Sequence, residues 1–230
     1  MRLDFFIANA TALSRRDARK AISAGRVRID DSPCRKAASA ISHQHCVTLD
    51  GRPLSLPGER YLMLHKPAGV ISATTDSQRP TALDLLPSGM RQGLQIAGRL
   101  DADTTGLLLL TTDGQWSHRV TSPRLDCPKT YRVSLSDPIS ADAVLELEQG
   151  VLLRGESTPT RPAGVQKLDD QTIDLTISEG RYHQVKRMLA AVGNHVTGLH
   201  RWRIGKVVLG PELAAGEYRE LTPKEVASLG

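Results

Sequence analysis

Residues 98–114 read Gly98-Arg99-Leu100-Asp101-Ala102-Asp103-Thr104-Thr105-Gly106-Leu107-Leu108-Leu109-Leu110-Thr111-Thr112-Asp113-Gly114. Two carboxylates stand in a glycine-bounded loop, four leucines follow, and an Asp-Gly turn closes the stretch. A short apolar run bounded by turn residues reads as a buried strand. A charged loop set directly before such a strand is how an α+β enzyme presents a reactive carboxylate on a rigid support. On composition alone Asp101 and Asp103 are equal candidates, and the commonplace role of either is a turn or a helix cap.

Working outward, Asp113 is placed to cap a helix over 116–120. Residues 129–135 alternate, with Tyr131, Val133 and Leu135 on one face. Residues 141–149 form a helix ending at Gly150, and 172–177 alternate again. Glu179-Gly180 then turns into a helix with Val185, Met188, Leu189 and Val192 on its core face and Gly193 as its stop. Short strands and turns are expected over 203–221. Upstream, 95–97 reads as a strand, 81–86 as a short helix between two prolines, and 61–64 as a buried strand before Lys66-Pro67-Ala68-Gly69. Strands separated by single helices predict an α+β domain on a mixed, largely antiparallel sheet.

The first quarter differs in charge. The net charge is +5, and residues 1–58 hold ten Lys/Arg against five Asp/Glu, so this quarter carries the whole excess. Leu3, Phe6, Ile7 and Ala10 define one helical face, and Ser14 with Asp17 is a capping pattern. The helix it opens carries Arg15, Arg16, Arg19 and Lys20 and stops at Gly25. Arg26 and Arg28 then alternate with Val27 and Ile29 in a strand, and a second strand at 46–49 turns at Asp50-Gly51. Ser55-Leu56-Pro57-Gly58 reads as a linker, giving domains over 1–58 and 59–230. A compact basic module beside a neutral body suits polyanion binding, although a solvated basic helix is the bland alternative.

Composition narrows the classes further. The hydrophobic fraction is 40% and the charged fraction 24%, as in an ordinary globular protein. No apolar run approaches a membrane span and no signal-peptide core opens the chain, so a cytoplasmic protein without membrane contact is expected. Cys34, Cys46 and Cys127 are too few and too scattered for a disulfide framework. His43-Gln44-His45-Cys46 lacks a second ligand pair at zinc-finger spacing, so no metal site is expected. No exposed apolar stripe stands out, and a monomer is expected.

Ser14-Arg15, Ala18, Ile22, Gly25, Val27 and Ile29 make the first quarter resemble the S4 RNA-binding domain. Gly98-Arg99-Leu100-Asp101, Asp103-Thr104-Thr105-Gly106-Leu107, Lys129-Thr130-Tyr131 and Glu179-Gly180-Arg181-Tyr182-His183-Gln184-Val185-Lys186-Arg187-Met188 resemble the signature of the pseudouridine synthases. They stand in family order behind Lys66-Pro67-Ala68-Gly69, and the resemblance is nearest to the RsuA type, which modifies small-subunit ribosomal RNA. It implies an enzyme that moves a uridine's glycosidic bond from N1 to C5 with neither cofactor nor metal. It implies Asp101 as the essential aspartate, acting as nucleophile or through a glycal intermediate. Tyr131 would stack on the uracil, Lys186 would pair with Asp101, and Ile177 would form part of the pocket wall. The target would be uridine 516 of 16S rRNA in a partly assembled particle, flipped out of its stack.

Arg99, Arg181, Arg187, Arg201 and Arg203 are candidates for holding phosphates around that base, and Thr105 for shaping the loop. Arg15, Arg16, Arg19, Lys20, Arg26, Arg28 and Lys66 are candidates for wider RNA contact. Without the resemblance, Tyr131 reads as core and Lys186 as a solvated helix lysine. Two other functions remain open at this point: a large-subunit rRNA synthase of the same plan, and a non-catalytic RNA-binding or assembly factor.

Overall fold

The computed structural model describes residues 1–11, 13–42, 45–55, 58–122 and 125–229. His43, Gln44, Leu56 and Pro57, which belong to the metal and linker readings, lie outside the described residues. The chain divides into two compact units, Met1–Glu59 and Arg60–Gly230.

In the first unit α1 (Leu3–Ala10) and α2 (Arg15–Ser23) pack on a sheet of β1 (Val27–Ile29), β2 (Ser32–Pro33), β3 (Val47–Leu49) and β4 (Arg52–Leu54). The strand order is β2-β1-β3-β4, antiparallel throughout. Leu3, Phe6, Ile7, Ala18, Ile22, Val27 and Val47 form the core. The Ser14 side chain accepts from the Asp17 N–H and caps α2. The polar exception inside is Asp4, fully buried and met by Arg2, Arg15 and Arg19 within 3.4 Å. Hydrogen bonds from Arg2, and then Arg19, outweigh the cost of burial and hold its carboxyl far below the usual carboxylate range.

The second unit runs β5 (Tyr61–Lys66), two short 3₁₀ turns (Ala82–Leu85 and Ser88–Met90), β6 (Gln95–Ala97), β7 (Thr105–Thr111) and α3 (Gly114–Thr121). It continues through β8 (Lys129–Leu135), α4 (Ala141–Gln149), β9 (Gly164–Lys167), β10 (Thr172–Ile177) and α5 (Gln184–Ala191). It ends with β11 (Val196–Ile204), β12 (Val207–Val208), β13 (Tyr218–Glu220) and α6 (Pro223–Leu229). The main sheet has the order β13-β5-β7-β11-β8-β10-β9, with β6 on β7 and β12 on β11. Among the described strand pairs only β7 with β11 is parallel.

The four leucines sit at the centre of this sheet. Successive side chains of a strand point to opposite faces. Leu108 and Leu110 join Leu62, Leu64, Val133 and Leu175 in one core, while Leu107 and Leu109 join Met63, Trp116, Val120 and Ile204 in the other. A strand covered on both faces has no polar side to alternate with, which is why it reads as a continuous apolar run.

β11 departs from the sequence reading, which placed short strands only from 203 onward. It is a nine-residue central strand, Val-Thr-Gly-Leu-His-Arg-Trp-Arg-Ile. Its register against β8 shifts between Val196 and Gly198 and again between Arg201 and Arg203. Each bulge resets the alternation, so no period of two survives in the sequence.

Gly106 is what lets β11 lie beside β7. Its φ is +108°, and a Cβ there would be driven into the carbonyl oxygen of Arg201. We expect Gly106→Ala to lower unfolding stability by about 3 kcal/mol, from backbone strain and the clash together. Urea denaturation checks this; a loss below about 1 kcal/mol would show that the two strands can part without cost.

Candidate active site

The loop before β7 is fixed by bonds to its own backbone. The Ser72 hydroxyl donates to the Leu100 carbonyl at 2.8 Å and accepts from the Leu100 N–H at 2.9 Å. Gly69 N–H donates to the Ala102 carbonyl at 2.8 Å, and Thr104 N–H to the Asp101 carbonyl at 3.1 Å. Lys66, fully buried, donates to the carbonyls of Pro67, Val70 and Ala102. Burial pulls the Lys66 ammonium down to about 8, against the opposing pull of Asp103 and Asp101.

The Asp101 carboxylate emerges from this frame about one-third exposed, at 32%. Lys186 Nζ lies 3.3 Å from Asp101 Oδ2, and His183 Nε2 lies 3.3 Å from Asp101 Oδ1. Lys186 also donates to both oxygens of Asp103 at 2.7 and 2.8 Å. Burial would lower the Lys186 ammonium, but the hydrogen bond to Asp103 and the charge of Asp101 outweigh it and raise it. Lys186 in turn pulls the Asp103 carboxyl down. Lys186 is therefore a bridging cation that carries both carboxylates.

Arg201 crosses behind them, 1% exposed. Its Nε donates to the Leu107 carbonyl at 2.9 Å, and its Nη1 to the Arg99 carbonyl and to Tyr131 Oη, both at 3.3 Å. A guanidinium only donates, so Tyr131 Oη accepts and keeps its own proton for another acceptor. Asp101, Tyr131, Ile177, His183, Lys186 and Arg201 all line one cavity of about 370 Å³. That volume lies at the small end of ligand sites and suits one nucleoside.

A family model described as RNA pseudouridylate synthase matches residues 60–191, and one described as S4 domain matches residues 1–45. The "Ribosomal small subunit pseudouridine synthase A" of Vibrio cholerae is 50% identical over 229 residues, covering 100% of this chain and 99% of its own. The protein of the same name from Escherichia coli K12 is 50% identical over the full length of both chains. The chain belongs to the RNA pseudouridylate synthase family. A crystal structure of a pseudouridylate synthase is 47% identical, covers 100% of both chains and superposes with a TM-score of 0.74.

In this synthase several cations serve the fold rather than the solvent. Lys66, read from sequence as an RNA contact, has no exposed surface, and three carbonyls take its donors. Arg201, read as a phosphate ligand, is equally buried. Arg181 lines the cavity, but its guanidinium is taken by Glu156, Glu179 and the carbonyls of Thr158 and Pro159. Arg187 is held by Glu156 and the carbonyls of Tyr182 and Arg154. Thr105 bonds His200 Nδ1 at 2.8 Å and does not line the cavity. Arg99 is exposed and lines the rim, and Arg203 is exposed as well.

In the first unit Arg15, Arg16, Arg19, Lys20, Arg26 and Arg28 are all exposed. Arg15 and Arg19 are anchored on Asp4, Lys20 on Asp17, Arg26 on Asp50 and Arg28 on the Asp31 carbonyl. Among the described residues no three His, Cys, Asp or Glu side chains group as a metal site, and no helix is long and apolar enough to cross a membrane. Sequence reasoning missed His183, Lys129 and Ser72. Lys129 stands two residues before Tyr131, lines the cavity and donates to the Cys127 carbonyl at 2.9 Å. Burial lowers its ammonium.

Replacing Lys66 by Met removes the ammonium donor from the Pro67 and Val70 carbonyls, while the Ala102 carbonyl keeps the Gly69 N–H. We expect a stability loss of about 3 kcal/mol with no change in the salt dependence of RNA binding. A weaker salt slope with unchanged stability would restore Lys66 as a phosphate contact.

Proposed function

We propose that this synthase converts a uridine of the small-subunit ribosomal RNA, uridine 516, to pseudouridine within a partly assembled particle. The relatives aligned over the full chain bear the small-subunit name, which supports that target. The observation that carries the chemical reading is the convergence of Asp101, Lys186 and Tyr131 on one cavity of nucleoside size.

The uridine leaves its stack and enters the cavity, because its C5 and glycosidic bond are out of reach inside a helix. Asp101 acts at the reacting sugar or base as an ionised carboxylate. The Lys186 cation, 3.3 Å from Asp101 Oδ2, aims it. The Tyr131 ring lies against the uracil, with its hydroxyl proton available to a substrate oxygen, and Ile177 closes the apolar wall. The C1′–N1 bond is broken and C1′–C5 formed, with the base held between steps by the cavity; C5 gives up its proton and N1 takes one, so the isomerisation has no net change in composition. Arg99 at the rim meets backbone phosphate, and the basic face of the first unit supplies salt-dependent affinity.

Purified protein offered small-subunit and large-subunit rRNA, each as a naked transcript and in a partly assembled particle, tests this reading. Pseudouridine is expected in the small-subunit RNA alone. Asp101→Asn is expected to slow single-turnover formation by about 1,000-fold or more while RNA affinity stays within about threefold. Modification of the large-subunit RNA instead would overturn the target, and an active Asp101→Asn protein would overturn the catalytic assignment.

A further inference from the structure

Two Trp, four Tyr and two Phe are all the aromatic residues this chain has. Only two are exposed: Phe5 in the first unit, and Tyr182, which at 77% is the most exposed large apolar side chain described. Tyr182 stands on the lining of the catalytic cavity. A large aromatic ring left in water beside an RNA-modifying site calls for a physical account, because a base can stack on any free aromatic face.

The ring is not loose. It stacks on His183 with centroids 3.8 Å apart and planes 19° from parallel. His183 takes a left-handed backbone conformation, φ 47° and ψ 37°, at the N-terminus of α5 and makes no side-chain cap there. That conformation costs a β-carbon residue of the order of 1 kcal/mol or more. In exchange it turns the imidazole toward Asp101 and lays the Tyr182 ring over it. The flanking residues are tied down on both sides. Arg181 is clamped by Glu156 and Glu179, and its N–H donates to Gln184 Oε1 at 2.8 Å. Arg187 Nη1 donates to the Tyr182 carbonyl at 3.1 Å. Ordering this segment has been completed before RNA arrives, so little entropy remains to be lost on binding.

One face of the Tyr182 ring is covered by His183 and the other is open. Tyr182 shares the cavity lining with Tyr131 but is 77% exposed where Tyr131 is 8% exposed, and Tyr131 is the residue read above as serving the target base. We propose that Tyr182, backed by His183, is a stacking platform for an unpaired nucleobase next to the extruded uridine. This rests on the reading above that the uridine enters the Asp101 cavity. His183 links the platform to the reaction. Its Nε2 lies 3.3 Å from Asp101, so the platform stands directly beside the carboxylate to which the target is delivered. A stacked neighbour also holds open the gap the uridine leaves.

Steady-state kinetics of Tyr182→Ala and Tyr182→Phe test this on small- and large-subunit rRNA, as transcripts and as partly assembled particles, using whichever the wild type modifies. A misassigned target therefore leaves the comparison intact. Tyr182→Ala is expected to raise KM about 10- to 100-fold, the size of one lost base–aromatic stack, with the loss falling on KM rather than kcat. Tyr182→Phe restores the affinity, because stacking needs the ring and not the hydroxyl. In a short target RNA, 2-aminopurine placed on one side of the uridine is quenched by wild type and not by Tyr182→Ala. Unchanged KM in Tyr182→Ala, failure of Phe to rescue, or no position-specific quench would each overturn the platform.

Discussion

The close passage of β11 over Gly106 is the constraint on which the rest depends. A parallel contact between β7 and β11 inside an otherwise antiparallel sheet is short, with His200 opposite Thr105 and Arg201 opposite Gly106. It works because residue 106 has no Cβ. Arg201 ties three separate pieces together: the Leu107 carbonyl on β7, the Arg99 carbonyl in the loop that carries Asp101 and the Tyr131 hydroxyl on β8. A buried guanidinium is costly unless its donors are used; Nε and Nη1 find acceptors on all three pieces, while Nη2 is buried with no hydrogen-bond partner among the described residues. The loop that presents Asp101 and the strand that presents Tyr131 are thereby held at one spacing.

Charge is arranged around that frame in layers. Lys66 and Arg201 are inside and donate mainly to backbone carbonyls, so they fix the loop without entering solvent. Lys186 stands at the cavity, shared by Asp103 and Asp101. Asp103 bonds it at hydrogen-bond distance and Asp101 sits slightly farther, at 3.3 Å. Asp103 thus secures the lysine more closely than Asp101 does. Arg181 and Arg187 brace the turn before α5 through Glu156. Of the arginines read as phosphate ligands, those with acidic partners nearby became struts, and Arg99 at the rim stays exposed.

Much of the fold was legible because local signals agreed with the final packing. Ser14 and Asp113 cap the helices their positions implied, and the Leu107–Leu110 run is the doubly covered strand. Bulges hid β11, since they erase alternation. The family-order motifs brought Asp101, Tyr131, Ile177 and Lys186 to one cavity, although Tyr131 alone reads as a core residue and is in fact 8% exposed. What sequence could not reveal was which cations lie inside. Lys66 and Arg201 look like surface bases in a one-dimensional string, and only the backbone carbonyls gathered by folding make them interior. His183 was missed because a left-handed histidine carries no pattern.

If Arg201 acts through Tyr131, removing either partner removes the same interaction, and a double-mutant cycle isolates it. The decisive measurement is the single-turnover rate of Tyr131→Phe, Arg201→Lys and the double variant, each checked for folding by urea denaturation. The double variant is expected to lose clearly less than the product of the two single losses, because the Arg201–Tyr131 bond is shared while the Arg201 bonds to Leu107 and Arg99 are not. Losses that multiply across the two substitutions would contradict the account, because Arg201 and Tyr131 would then act independently.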